Sequence, residues 1–352
     1  MATSSQASST EVSTDALGEL ARVEQDIHGR ASGGRGPWRI ATRRLRRNKV
    51  GLAFLGLFFL IVAVSAAAPL WANDVAKTGP LKTHETDRVS VDGKKKDVVT
   101  PDGVPIGPTY GGRYFLGADG NGRDTAVRLL YGGRTSLLIG VSAALITALV
   151  SVLLGTLAGY FRGVVDAVIS RVLDLIWAYP VILLGVALGT ALSLGGLSVG
   201  PLKLAGDSKL IPILVIGVVY VPYMARPLRG QVLALREKEF VEAAEAQGAG
   251  SLRIMFGEIA PNLTSTIIVF FPLMVANAIL LEAALSFVGA GVRAPEPSWG
   301  TLISEGVQTV TSAPHLTIVP GIMLVLTVLS LNVFGDGVRD ALDPRAKIRV
   351  EH

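Results

Sequence analysis

The hydrophobic residues of this chain are concentrated in six long runs that are separated by polar segments. The first uncharged run, Val50 to Leu70, has about 20 residues, the length that an α-helix needs to cross a bilayer. Five further runs reach or approach that length, over residues 136–160, 172–195, 210–225, 263–288 and 316–334. The pattern predicts an all-α membrane protein with six transmembrane helices.

Two alternatives concern these runs. Because Ala66–Ala68 resembles a cleavage site, the first run is also compatible with a signal peptide. A signal peptide begins with a short basic region, however, and about 50 residues precede this run, so a retained helix is favoured. The ends of the run at 210–225 are uncertain because it carries Pro212 and Pro222.

The polar segments predict how the chain is organised. The N-terminal segment before the first hydrophobic run is rich in small and polar residues and is expected to be disordered. A long polar loop separates the first run from the other five. The predicted units are a disordered cytoplasmic N-terminus (1–36), a basic segment with the first helix (37–70), an extracytoplasmic loop (71–134), a core of five helices (135–335) and a cytoplasmic tail (336–352). Within the loop, Val89–Gly93 and Asp97–Val99 pair as a hairpin or belong to a solvated loop, and the sequence leaves both open.

The basic residues predict the orientation. Half of the 352 residues are hydrophobic, 17% are charged and the net charge is +5, so the placement of the charges matters more than their sum. With a cytoplasmic amino terminus, the short outer loops hold only Lys203, Lys209 and Arg293. The short inner segments hold eleven basic residues: Arg162, Arg171, Arg226, Arg229, Arg236, Lys238, Arg253, Arg339, Arg345, Lys347 and Arg349. Both termini are therefore expected in the cytoplasm, with the chain passing the membrane several times.

The sequence offers little catalytic chemistry. It has no cysteine and four scattered histidines, so no metal site is predicted. It also lacks the G-x-x-x-x-G-K-[ST] phosphate loop and the motifs of hydrolases and dinucleotide enzymes. We therefore expect no catalytic residue, and any ATPase must be a separate chain. Asp174 and Glu282 are interpreted as paired or interfacial structural carboxylates rather than as a proton relay.

The segment between the fourth and fifth runs, residues 226–262, is too long for a simple connection and too polar to enter the membrane. Good helix formers predict a helix over 231–247, and Gly248 and Gly250 end it. Ser251 is expected to cap a second short helix over 252–257. The residues alone are equally compatible with a helical hairpin that supports itself and with one that contacts a partner.

This segment resembles the EAA signature of binding-protein-dependent ABC importer permeases. The resemblance rests on Glu242-Ala243-Ala244, Gly248, Ile259 and Pro261, with Ala260 where the family usually has Leu. It implies a type I ABC importer permease fold in which the EAA helix is a cytoplasmic coupling helix that docks on the ATPase.

Other segments are similar to the oligopeptide and dipeptide (DppC/OppC-like) branch of that family. Residues 116–124 resemble the family stretch LGTDxxGRD, with Gly117, Asp119, Gly122, Arg123 and Asp124 in place and Ala118 where Thr is usual. Further similarity lies at Arg134–Gly140, Pro297–Gly300 and Gly335–Arg345, and the resemblance covers roughly residues 40–346.

The branch implies a permease that translocates peptides delivered by an extracytoplasmic binding protein. The implied partners are a second, DppB/OppB-like permease subunit, two ATPase subunits or domains, the binding protein and membrane lipid, but no nucleic acid. No cofactor is expected on this chain, because ATP and Mg²⁺ would bind the partner ATPase. Transport of nickel complexes or another small solute is an alternative, and an ion-coupled carrier or a membrane scaffold is a more distant one.

Overall fold

The computed structural model of the protein describes residues 37–91, 93–199 and 202–342. The predicted disordered tail, residues 1–36, and residues 343–352 of the predicted C-terminal tail lie outside the described residues. The described helices are α1 (Pro37–Arg47), α2 (Lys49–Ala66), α3 (Ala68–Leu70), α4 (Thr125–Phe161), α5 (Gly163–Trp177), α6 (Val181–Gly195), α7 (Leu210–Val219), α8 (Val221–Leu235), α9 (Glu239–Ala246), α10 (Ser251–Arg253), α11 (Ala260–Phe287), α12 (Trp299–Val307) and α13 (His315–Leu342). The strands are β1 (Arg88–Val91), β2 (Lys94–Asp97), β3 (Leu197–Val199) and β4 (Leu202–Leu204).

Six membrane crossings can be assembled from these helices. Helices α2, α4 and α13 are each long and apolar enough to cross a bilayer, and so is the continuous helix Ser251–Phe287, which contains α10 and α11. Two pairs of consecutive helices are also long and apolar enough to cross a bilayer if each pair is taken together. Helix α5 meets α6 at an angle of 90°, and α7 meets α8 at 42°. Counting each bent pair as one span gives the six spans that the hydrophobic runs predict.

The two bends correct the predicted third and fourth spans. The run at 172–195 is not one helix, because the chain turns sharply before Pro180, which disfavours a helical residue ahead of it. The run at 210–225 bends at Tyr220, and Pro222 in the first turn of α8 has no N–H to continue the ladder. Hydroxyl groups of α4 satisfy carbonyls at this second bend: Thr147 Oγ1 donates to Gly217 O at 2.8 Å and Ser151 Oγ to Val221 O at 3.0 Å.

Helix α4 lies at the centre of the bundle, against α7, α8 and α11. Two glycines one helical turn apart let α8 approach it closely. A Cβ at Gly155 would lie 3.0 Å from Ala225 O, and one at Gly159 would lie 2.7 Å from Val232 Cβ. Small residues at this spacing allow van der Waals packing of helix backbones, which stabilises helix pairs inside a membrane.

The predicted boundaries of the polar segments need two corrections. Helix α4 begins at Thr125 rather than near residue 135, so the long loop ends ten residues earlier than predicted. Helix α13 continues to Leu342, and the predicted tail from 336 therefore starts inside it. In both places polar residues continue a helix beyond the apolar run, which hydrophobicity alone does not reveal.

The long loop contains a hairpin, one of the two possibilities that the sequence leaves open. Strands β1 and β2 pair antiparallel, with Arg88 opposite Asp97 and Val91 opposite Lys94. The second strand is therefore Lys94–Asp97 instead of Asp97–Val99. Val98 does not pair with β1. It is instead fully buried with Tyr114 and Ala118 in a small hydrophobic core of the loop.

Candidate functional site

The predicted coupling segment is a short surface helix with one buried side. Val241 of α9 is almost fully buried, and it packs in one hydrophobic cluster with Ile254, Met255 and Ile259. Ala244 and Ala249 are partly buried against the same cluster. Ile259, one of the predicted site residues, is therefore an anchor beneath the helix and not part of its exposed surface.

The other side of α9 is exposed and carries acidic and apolar groups. Glu242 and Ala243 are exposed. The helix contains no basic residue and three glutamates, which are Glu239, Glu242 and Glu245. Large apolar side chains also face solvent next to it: Phe240 (37% exposed), Leu252 (69%) and Phe256 (49%). An exposed apolar patch rimmed by charges is typical of a protein interaction surface.

Gly248 ends α9 in a conformation that favours glycine. Its φ is +77°, in the left-handed region where a Cβ is strained. The amide of Gly248 donates to Glu245 O at 2.9 Å and the amide of Ala249 donates to Ala244 O at 3.0 Å. These two bonds form a Schellman motif, which satisfies the last carbonyls of the helix and reverses the chain.

The helices around α9 differ from those predicted. The prediction of one continuous helix over 231–247 is wrong, because residues 236–238 separate α8 from α9. The second short helix is not separate either. It starts at Ser251 without a side-chain cap and continues through a π-helical turn, Ile254–Ile259, into α11. Pro261 lies exposed in the first turn of α11, and the missing proline N–H explains why the regular ladder is disturbed just before it.

The connection before α9 is fastened to the end of α4. Arg162 Nη2 donates to Glu237 Oε1 at 2.6 Å, and this guanidinium holds the pKa of Glu237 below its usual range. Arg236 donates to the carbonyl of Tyr160 and lies over the Tyr160 ring, 5.4 Å from its centroid. These contacts attach the connection to the α4–α5 turn.

Ion pairs also join α8 to α5. Arg229 forms a two-point contact with Asp166, at 2.5 and 2.6 Å. Arg226 Nη2 donates to Asp174 Oδ1 at 2.6 Å, and its guanidinium lies 4.2 Å from the centroid of the Trp177 ring. We name these two pairs the α5–α8 ion pairs. The predicted role of Asp174 as a paired carboxylate agrees with this contact.

Glu282 lies in a different setting. It is fully buried in α11, where Oε1 accepts a hydrogen bond from Ser286 Oγ at 2.7 Å. Among the described residues no basic side chain pairs with it. Ser286 Oγ in turn accepts from the amide of Val292, so the group fixes the chain that follows α11. No chain of carboxylates crosses the described part of the bundle from this residue.

The other predicted motif lies at the opposite end of α4, about 55 Å away along a helix of 37 residues. Gly117 and Gly122 have φ of +83° and +69°. Their missing Cβ atoms also leave room for backbone, because a Cβ would lie 2.6 Å from Ile106 O at Gly117 and 2.6 Å from His84 C at Gly122. Both glycines are required for conformation and for space.

The acidic residues of this motif have separate structural roles. Asp124 caps α4 by accepting from the amide of Val127 at 3.0 Å, and its other oxygen accepts from the amide of Tyr114 at 2.6 Å. Burial raises the pKa of the Asp124 carboxyl and raises the pKa of Tyr114 to about 12. Asp119 instead accepts from the amides of Asn121 and Arg123, at 2.9 and 3.0 Å, and so closes the loop.

Four charged side chains form a cluster at the start of α4 that the sequence does not predict. We name Asp119, Arg123, Arg128 and Glu305 the four-charge cluster. Asp119 Oδ2 pairs with Arg123 Nε at 2.7 Å and with Arg128 Nη1 at 2.5 Å. Glu305 of α12 contacts both guanidiniums: Arg123 Nη2 donates to Glu305 Oε2 at 2.9 Å, and Arg128 Nη1 donates to the same oxygen. Glu305 lies 177 residues after Arg128 in the sequence. The cluster has equal positive and negative charge and lines a cavity of about 400 Å³ together with Leu302 and Pro320. It ties α12 to the start of α4.

Two family models match the chain. Residues 151–348 match the family described as binding-protein-dependent transport system inner membrane component. Residues 36–86 match the N-terminal TM domain of oligopeptide transport permease C. The predicted all-α membrane class and the predicted family of binding-protein-dependent permeases are confirmed by these matches together with the helical architecture.

Three curated proteins are similar over most of their length. The dipeptide transport system permease protein DppC of Alkalihalophilus pseudofirmus is 35% identical over 88% of this chain and 91% of its own. The glutathione transport system permease protein GsiD of Salmonella typhimurium is 36% identical over 89% of this chain and 92% of its own. The oligopeptide transport system permease protein OppC of Salmonella typhimurium gives the same three values, 36%, 89% and 92%.

The four-charge cluster leads to a stability prediction. Asp119→Asn removes one of the two carboxylates that both guanidiniums share and leaves Arg128, whose side chain is fully buried, short of a counter-charge. Breaking a buried ion pair costs about 3 kcal/mol or more, so the Tm of the purified protein in detergent should fall by several degrees.

The matched control is Asp97→Asn. It breaks an exposed pair with Arg88 on the same side of the bundle, and we expect a change below about 1 kcal/mol. An equal fall of the Tm in both variants would contradict the structural role of the cluster.

Proposed function

This chain belongs to the family of binding-protein-dependent transport system inner membrane components, and we propose that it is the peptide-translocating permease subunit of an ATP-driven importer. It is a transporter component rather than an enzyme. The peptide cargo is supported by the names of the relatives, which are permeases for dipeptides, oligopeptides and glutathione. Glutathione is itself a tripeptide, so the three share one class of cargo.

Family membership implies an ATPase and a substrate-binding protein as partners. We propose in addition a second, related permease subunit, with which this chain would enclose the translocation path. Both termini are proposed to be cytoplasmic, because that orientation puts most of the basic residues of the short loops inside. ATP and Mg²⁺ would then bind the ATPase chains, and this chain would hold no cofactor.

The observation that carries the coupling proposal is the exposed face of α9. Three glutamates and the neighbouring apolar side chains form a surface that complements a groove with basic and apolar walls. The Schellman turn at Gly248 and the anchor at Val241 hold this face rigidly to the span that follows. A rigid, protruding helix suits the transfer of a push or pull from the ATPase.

The contacts around α9 supply a route for that movement. The connection at Arg236 and Glu237 is bound to the end of α4, and the α5–α8 ion pairs join the two bent spans. When closure of the ATPases moves α9, we expect α8 and α5 to move as a unit, and the bend between α5 and α6 to change. ATP can drive this change only by binding one arrangement more tightly than the other.

Coupling can be tested on the surface of α9. Gly248→Asp adds a further carboxylate beside those of α9, and Glu242→Arg reverses the charge at its centre. We expect both variants to insert into the membrane normally while ATP hydrolysis loses its link to peptide uptake. The measurement is uptake per ATP hydrolysed in proteoliposomes that contain the assembled transporter and the peptide-loaded binding protein.

Two glycine variants serve as controls. Gly230→Ala alters an exposed helical glycine with nothing within 4 Å of the added Cβ, and Gly248→Asn places an uncharged side chain of the same shape as Asp at the same positive φ. Both should retain most of the uptake. If Gly248→Asp and Glu242→Arg, each tested as a single variant, both showed the wild-type uptake per ATP, the coupling role of α9 would be ruled out.

The route through α8 makes a separate prediction. Asp166→Arg or Arg229→Asp alone places like charges side by side, and each should lower uptake per ATP by about fivefold or more, the range of a typical coupling free energy. The double variant restores opposite charges and should recover much of the loss, because only their interaction is needed.

The same exchange at the exposed pair Arg88 and Asp97, in the long loop, should leave uptake per ATP unchanged. If the double variant at 166 and 229 is as impaired as either single variant, or if the single variants couple normally, the route through α8 is wrong.

A further inference from the structure

A second cavity, of about 440 Å³, lies near the start of α4, where four segments distant in sequence meet. Pro80 and Leu81 come from the long loop, Tyr131 and Arg134 from α4, and the remaining walls from residues that precede α7 and α12. These last residues are Lys209, Glu296 and Pro297. None of these lining residues belongs to the four-charge cluster.

The lining carries an excess positive charge. Lys209 Nζ lies 3.0 Å from Glu296 Oε2, so these two charges balance each other. Arg134 is exposed, and its described contact is with the ring of Tyr131, 5.4 Å from the centroid. Among the described residues no carboxylate forms an ion pair with Arg134. The site therefore offers one uncompensated guanidinium to a ligand.

An exposed leucine stripe continues from this cavity along the same face of α4. It consists of Leu138 (56% exposed), Leu145 (48%), Leu149 (71%) and Leu153 (46%). At 100° per residue these positions and Arg134 fall within about a quarter to a third of the helix circumference. The stripe from Arg134 to Leu153 is about 28 Å long, close to the thickness of the hydrocarbon core.

We propose that the cavity and the leucine stripe bind an anionic phospholipid of the leaflet on the side of the long loop. The Arg134 guanidinium binds the phosphodiester, because its planar fork matches two phosphate oxygens. Lys209 and Glu296 face the polar part of the headgroup, where Glu296 can accept from hydroxyl groups. An acyl chain lies along Leu138 and Leu145. A headgroup with one net negative charge neutralises the site, and a zwitterionic headgroup does not.

The proposal is independent of the cargo and of the ATPase contact. A lipid fits this surface better than a protein partner because the exposed charge lies at one end of an apolar stripe of bilayer length. That arrangement matches an amphiphile, with its single charged group at the interface and its apolar part in the hydrocarbon core.

The test uses the transporter purified with its co-assembled chains in nanodiscs of phosphatidylcholine and phosphatidylglycerol. Native mass spectrometry then measures which lipid stays bound as detergent is added and the collision energy is raised. We expect retained phosphatidylglycerol in the wild type and about a tenfold loss in Arg134→Gln, the size of one charge-assisted interaction. Arg134→Lys should retain more than Arg134→Gln because the charge is kept.

The matched control is Arg293→Gln, which removes an exposed arginine that does not line this cavity. It should retain phosphatidylglycerol as the wild type does. Equal retention in Arg134→Gln and Arg293→Gln would overturn the proposal. Because the chain has no native cysteine, Leu145→Cys gives a single thiol, and cross-linking of this thiol to a second protein chain would overturn it as well.

Discussion

The close approach of α4 and α8 is the constraint on which the rest of the structure depends. Gly155 and Gly159 let the two helices approach closely, because a Cβ would be in tight contact at Gly155 and would collide with Val232 at Gly159. This contact brings the end of α4, with Tyr160 and Arg162, next to the connection that carries Arg236 and Glu237. It also holds α8 in position for its arginines to reach α5. A larger residue at Gly159 would therefore disturb the attachment of α9 as well as the local packing.

The two ends of α4 carry different kinds of polar contact, and the difference fits their proposed roles. At the end with the long loop, the four charges of Asp119, Arg123, Arg128 and Glu305 are largely withdrawn from solvent and fix α12 in place. At the other end, the ion pairs between α5 and α8 remain partly exposed. Buried pairs are costly to break, whereas exposed pairs exchange easily with water. The first end is suited to a fixed frame and the second to a moving one.

The sequence predicts most strongly what depends on local hydrophobicity. The first span was predictable because the run from Val50 is uncharged and continuous. The surface position of Glu242 and Ala243 follows from helix propensity together with the family pattern. The start of α4 at Thr125 is not predicted because Arg128 interrupts the apolar run, and the burial of Arg128 depends on Asp119 together with Glu305, which is far along the chain. Likewise the bend at Pro180 is signalled by a proline, but its 90° angle depends on packing that no local pattern encodes.

The most direct measurement of the central claim is site-specific cross-linking in native membranes. Because the chain has no cysteine, Ala243→Cys places one thiol at the centre of the exposed face of α9, and Tyr110→Cys places one on the exposed long loop. We expect a cross-link from residue 243 to an ATP-hydrolysing chain, with a yield that changes when nucleotide binds, and none from residue 110. A cross-link to that chain from residue 110, or none from residue 243 in any nucleotide state, would contradict it.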